Sequence, residues 1–186
     1  MTGAAASDEV RPLVILVGAP GAGKSTVGAA LARRLGVSLR DTDADVEVVA
    51  GKPIPAIFTD DGEPAFRVLE AAAVAAAVRE HAGVLALGGG AILSPATREV
   101  LAGHAVVLLS VSMSAGVRRT GLATNRPLLV GINPRATYKS LLDARMPLYR
   151  EVAAVEIDTD RTDVGQVVDQ ILNWLDTRGD NRMRAR

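Results

Sequence analysis

Apolar residues fall into short unbroken runs separated by longer stretches that repeat every three to four residues. The runs at 13–17, 84–87, 105–111 and 155–158 predict strands, with a weaker one at 38–41. Most are continuous rather than alternating, as in strands covered on both faces. The periodic stretches predict helices over 24–35, ending at Gly36, and over 64–81, 95–102, ending at Gly103, 113–120, 135–152 and 164–175. Strand–helix alternation of this kind predicts a parallel sheet with right-handed crossovers. The expected fold is a three-layer α/β/α domain with five parallel strands. One stretch breaks the rhythm: 121–134 holds two glycines, two prolines and two asparagines and follows no period. Irregular stretches of that length inside a domain are usually functional loops or lids, though a solvated connector would look the same.

The chain has 186 residues, which at roughly 150 per domain suggests one domain, placed here at 13–176. The small, polar residues 1–12 and the basic residues 177–186 are expected to be disordered ends. Basic and acidic residues balance, 21 against 21, and aromatics are only 3%. Nucleic acid is therefore not expected as a partner, because the positive footprint is missing. The absence of cysteine excludes disulfides, thiolate nucleophiles and cysteine-bound metals. No apolar run approaches the roughly 18 residues of a membrane span, and 1–12 lacks the apolar core of a signal peptide. A cytoplasmic protein, monomeric for want of a large apolar face, is the reading.

The first strand leads into Gly18-Ala19-Pro20-Gly21-Ala22-Gly23-Lys24-Ser25-Thr26, which fits G-x-x-x-x-G-K-S/T between a strand and a helix. Glycines there let backbone N–H groups turn inward around phosphate oxygens, and the following helix aims its positive end at the same point. Lys24 would reach the β- and γ-phosphates and the Ser25 hydroxyl would ligate Mg²⁺. A nucleoside triphosphate is thus the expected ligand, held by Gly21, Ala22, Gly23, Lys24, Ser25 and Thr26.

A phosphate loop alone leaves kinases, GTPases and ATPases open. Asp41-Thr42-Asp43 ends the second strand, where ligands bind in open α/β sheets. If strand geometry persists, both carboxylates point to one side, one for Mg²⁺ through water and one as proton acceptor; Asp43 could equally cap a helix over 44–50. Arg67 and Glu70 are helical neighbours, either a surface ion pair or an arginine oriented to grip an anion. Gly88, Gly89 and Gly90 end the third strand, as needed where a ligand approaches the backbone, or in a plain flexible turn. Arg126 and Arg145 are further candidates for carboxylate or phosphate, among basic residues that are mostly solvated surface.

In this order, the phosphate loop, Asp41-Thr42-Asp43, Phe66-Arg67 with Glu70, Gly88-Gly89-Gly90, Arg126-Pro127-Leu128-Leu129 and Arg145 before Pro147-Leu148-Tyr149 resemble the shikimate kinase family over about residues 13–175. The resemblance implies a P-loop kinase of the nucleoside monophosphate kinase type. It implies ATP- and Mg²⁺-dependent phosphorylation of the shikimate 3-hydroxyl, on the route to aromatic amino acids. Asp43 would then hold the substrate hydroxyls and act as base, with Lys24 and Arg126 stabilising the transferring phosphoryl group. Arg67 and Arg145 would bind the shikimate carboxylate, with Glu70 fixing Arg67, and Gly88, Gly89 and Gly90 would line the ring site. Ser25 and, through water, Asp41 would hold Mg²⁺. The irregular 121–134 stretch would be the lid and 44–59 a small substrate-binding helical segment, with Phe58 and Phe66 packing beside the site. The family often has an arginine near adenine after the last strand; here Arg161 is followed by Thr162 at the expected position, so Arg119, rather than Arg118, would supply an adenine face. Gluconate and nucleoside monophosphate kinases share the phosphate loop but are not expected to combine Asp41-Thr42-Asp43 with three glycines. A catalytically dead regulator would be expected to lack Lys24, Asp43, Arg67 or Arg145, and all four are present.

Overall fold

The computed structural model describes residues 10–120 and 134–178. Five strands, β1 (Val14–Val17), β2 (Leu39–Asp41), β3 (Val84–Ala86), β4 (Val106–Ser110) and β5 (Val155–Asp158), form one parallel sheet in the order β2-β3-β1-β4-β5. The central strands β1 and β3 are buried along their whole length and β4 along all but Ser110, which is why their sequences read as unbroken apolar runs. Around the sheet lie α1 (Lys24–Leu35), α2 (Thr42–Ala50), α3 (Ile54–Asp60), α4 (Gly62–Glu80), α5 (Pro95–Leu101), α6 (Met113–Thr120), α7 (Pro134–Val152) and α8 (Val164–Thr177). The sequence topology leaves β1 toward β2 and returns to β4 on the other side of β1. The carboxyl ends of β1, β3 and β4 therefore open onto the switch point where such sheets bind ligands.

Local chemistry sets the element ends. Helix α1 stops at Gly36, whose left-handed φ of 67° lets its N–H reach the Ala32 and Arg33 carbonyls. Helix α8 starts from a reciprocal cap, Asp163 with Gln166. The main core unites the sheet with α1, α4, α7 and α8. A second, smaller core of Val46, Ile57, Phe66 and Ala73 joins α2, α3 and α4, and gives the flank beside β2 its own packing.

Two expectations change. Strand geometry does not persist through Asp43: β2 ends at Asp41, whose carboxylate accepts from the Asp43 N–H at 3.0 Å and caps α2. Asp41, and not Asp43, is thus the cap, because an Asx side chain satisfies the helix's open N–H groups. The helical segment expected over 44–59 is built of two helices, α2 and α3, separated at Gly51 (φ 66°) and Pro53. Helix α8 runs to Thr177, past the expected end of the ordered domain. Of the ends and lid, 1–9, 121–133 and 179–186 lie outside the described residues, and with them Arg126.

Candidate functional site

The phosphate loop leaves β1 at Gly18 and winds into α1 with positive φ at Gly18 (149°), Gly21 (83°) and Gly23 (91°). A Cβ on Gly18 would overlap the Leu109 carbonyl, so the loop's glycine there is required by close approach to β4. Ala22 is buried, while Ser25 and Thr26 stand exposed at the loop's mouth. Lys24 lies back along the loop, its Nζ donating to the Gly18 carbonyl at 2.7 Å and the Ala19 carbonyl at 3.3 Å. Ser25 Oγ donates to Asp41 Oδ2 at 2.9 Å, which brings a hydroxyl and a carboxylate to the edge of the cradle.

Across the crevice, β3 ends in the glycine turn Gly88-Gly89-Gly90. Each glycine meets a different predicted substrate-binding group. A Cβ on Gly88 would overlap Asp43 Oδ1 and Glu70 Oε1, and one on Gly90 would overlap the Arg67 guanidinium. The Gly89 carbonyl accepts from Arg145 Nη1 at 3.0 Å. None of the three has a left-handed φ, so absence of a side chain here serves space rather than backbone freedom. Asp43, Arg67 and Arg145, far apart in sequence, are thereby gathered on one turn.

Arg67 is held tightly. Its Nη1 donates to Glu70 Oε2 at 2.6 Å, and its Nη2 and Nε donate to Glu63 Oε1 at 2.7 and 3.1 Å. It also lies over the Phe66 ring, 5.2 Å from the centroid, and Phe66 packs against Phe58 at 4.7 Å. Glu70 is only 3% exposed. Burial pushes its carboxyl above the usual carboxylate range, and the Arg67 charge pulls it part of the way back. Arg145 is buried as well.

Arg119 donates to the Gly21 carbonyl and to both oxygens of Thr159, and so spans the phosphate loop and the turn after β5. Arg118 instead lines a recess of about 370 Å³ with Met113, Ser114, Val117 and Arg135. The Thr162 hydroxyl closes its own turn on the Asp158 carbonyl at 2.6 Å, and Arg161 is exposed. Three groups escaped sequence reading. Glu63 was legible as the helical i−4 partner of Arg67. Thr42, fully buried, accepts from the Gly88 N–H at 3.1 Å and fastens α2 to the glycine turn. Tyr138 and Tyr149 reach the Pro20 and Gly89 carbonyls, and nothing in sequence separates them from core tyrosines.

A strand–loop–helix cradle on a five-stranded parallel sheet, facing a turn that gathers one carboxylate and two arginines, is the architecture of a P-loop kinase for a small acidic acceptor. A sequence model of shikimate kinase matches residues 20–176, and the chain belongs to the shikimate kinase family. It is 62% identical to the shikimate kinase of Saccharopolyspora erythraea over 161 residues, 87% of this chain and 92% of that protein. Among solved structures it is similar to the shikimate kinase of Acinetobacter baumannii in complex with shikimate, with a TM-score of 0.87 and 38% identity over 91% of this chain and 94% of that one. A gluconokinase from Sinorhizobium meliloti shares the fold alone, at a TM-score of 0.58 and 21% identity over 96% of this chain and 99% of that one.

Proposed function

We propose that this chain transfers the γ-phosphoryl group of ATP to the 3-hydroxyl of shikimate, giving shikimate 3-phosphate and ADP in the pathway to chorismate and the aromatic amino acids. The observation that carries the reading is the glycine turn: Gly88, Gly89 and Gly90 each abut one of Asp43, Arg145 and Arg67. Shikimate offers one carboxylate and several hydroxyls. Two arginines, one aspartate and bare backbone are the complementary set.

In this account the carboxylate sits between Arg67 and Arg145, and the ring lies on the glycine turn with its 3-hydroxyl toward Asp43. The hydroxyl oxygen attacks the γ-phosphorus, the bond to the β–γ bridging oxygen breaks, and the hydroxyl proton passes to Asp43. Lys24 leaves the Gly18 and Ala19 carbonyls to meet the phosphate oxygens. Gly21, Ala22, Gly23, Ser25 and Thr26 present the cradle, and Arg126 joins Lys24 against the developing charge on the strength of its motif alone. Arg119, at the turn after β5, is the proposed adenine contact.

The oxygen donors suit a hard divalent cation: Ser25 Oγ and Asp41 Oδ2 stand 2.9 Å apart beside the cradle. Mg²⁺ is usually held by one or two protein oxygens with substrate phosphates and waters. A carboxylate cage is therefore not needed, and among the described residues no cluster of three or more acidic or histidine ligands occurs. Bound there, Mg²⁺ would supply charge neutralisation at the β- and γ-phosphate oxygens. Action as a monomer is proposed. Among the described residues no helix is long and apolar enough to cross a membrane, and a cytoplasmic location is proposed.

Mass spectrometry and phosphorus–proton coupling on the product of ATP and shikimate test the reading. It expects one phosphate, on the oxygen at ring carbon 3. Phosphate on another hydroxyl would mean that Asp43 does not define the acceptor.

A further inference from the structure

The chain has two tyrosines, and both sit on α7 with essentially no exposure, 0% for Tyr138 and 1% for Tyr149. Filling the core needs only the ring; phenylalanine would do so without burying a hydroxyl. Each hydroxyl instead ends on a carbonyl of a ligand loop. Tyr138 donates to Pro20 of the phosphate loop at 2.8 Å. Tyr149 donates to Gly89 of the glycine turn at 2.5 Å, where Arg145 also bonds. The neighbouring Gly88 and Gly90 carbonyls accept backbone N–H groups from Ala91 and Leu93, so Gly89 is the turn residue tied to α7. The two loops abut each other, since a Cβ on Gly89 would stand 3.2 Å from Pro20 Cδ. Tyr138, Arg145 and Tyr149 are spaced seven and four apart, one face of the helix. The same hydroxyl end of Tyr138 fills the space of a side chain at Gly116 on α6, where any Cβ would overlap it. Burial also holds the Tyr149 phenol well above its ordinary range, so it remains a protonated donor.

We propose that Tyr138 and Tyr149 are positioning residues that tie the phosphate loop and the glycine turn to a single helix, and so fix the separation between the phosphoryl donor and the acceptor hydroxyl. The inference rests on the kinase reading above. Both hydroxyls act through backbone: neither reaches a reacting atom, but in-line transfer depends on a separation that neither loop fixes alone.

The test starts from the full chain, which must release ADP in response to shikimate; if it does not, the kinase reading fails before this one is reached. Tyr138→Phe, Tyr149→Phe and the double variant are then compared at a temperature well below their melting points. The expected result is a kcat roughly 10-fold lower in each single variant, with KM for ATP and shikimate moving less than about 3-fold. Lower melting points with kcat unchanged would make the tyrosines merely structural and overturn the proposal. A second measurement needs no variant to fold. Protein grown with 3-fluorotyrosine carries two fluorine resonances, one for each tyrosine. Shikimate alone should shift the Tyr138 signal and a non-hydrolysable ATP analogue alone should shift the Tyr149 signal. Resonances that each answer only to the adjacent ligand would overturn the coupling.

Discussion

Replacing Arg67 by alanine removes one of the two cations proposed to hold the acceptor's carboxylate, and the structure sets the size of the effect. A guanidinium has five N–H donors in a fixed fork. Among the described residues, three bonds run to Glu63 and Glu70. Two N–H groups, one on each terminal nitrogen, are left for a two-pronged grip on a carboxylate. Each charged hydrogen bond contributes about 1.5–3 kcal/mol. With Arg145 still in place, the loss is taken as about 3 kcal/mol, or roughly 100-fold in kcat/KM for shikimate. Arg67→Lys keeps the charge but loses the fork, and a loss of roughly 10-fold is expected. Initial rates with shikimate varied at saturating ATP, and the reverse, separate the two substrates. A change confined to the KM for ATP, or a shikimate effect under about 3-fold, would refute the assignment.

The same variant has a stability signature. Burial raises the folded-state pKa of Glu70, so its ionisation opposes folding as pH rises above the ordinary glutamate range of about 4.3. Arg67 offsets that penalty in the natural chain and cannot in Arg67→Ala. The gap in melting temperature between the two proteins should therefore be small near pH 5 and widen toward pH 8. A gap that narrows with rising pH would contradict the pairing.

Asp43→Asn should leave nucleotide affinity nearly intact while kcat falls by roughly 100-fold or more, as rapid-mix or steady-state rates beside nucleotide titrations would read. Gly90→Ala suits the backbone, since φ is −104°, yet its Cβ would displace the Arg67 guanidinium. The KM for shikimate should rise roughly 10-fold, and the melting temperature should fall at neutral pH as Arg67 is pushed off buried Glu70; an unaltered KM would show that Arg67 does not need its present place. Gly36→Ala is the converse, with φ at 67° and open space around it. It should lower stability by about 1 kcal/mol, or roughly 2–4 °C in melting temperature, with both KM values unchanged.

The sheet and the phosphate loop were legible because their causes are local. Unbroken apolar runs follow from strands covered on both faces, and α1 begins at Lys24 and ends at Gly36 as its glycines dictate. The stretch after β2 was misread because Asp41 belongs to both a strand end and a helix cap. Its capping role was visible as an Asx residue followed by Asp43 and Asp45 in the first turn. Gly51 and Pro53 likewise announced a break. What local pattern could not carry was the meeting of Asp43, Arg67 and Arg145 on one turn, which only the family resemblance implied. That depends on register between β2 and β3 and on the course of α7, both settled by the core rather than by local pattern. The hydroxyls of Thr42, Tyr138 and Tyr149 were hidden for the same reason, since each is recognised only by the loop atom opposite it.

The central claim is that the glycine turn and its three side chains select shikimate as the acceptor. ADP release from ATP and Mg²⁺ by the purified chain, measured alone and with shikimate, gluconate or a set of nucleoside monophosphates, tests it most directly. The account predicts strong stimulation by shikimate and none by the others. Tight ATP binding with no response to shikimate would keep the phosphate loop and contradict the acceptor site; silence toward every acceptor would leave a nucleotide-binding protein without transfer activity.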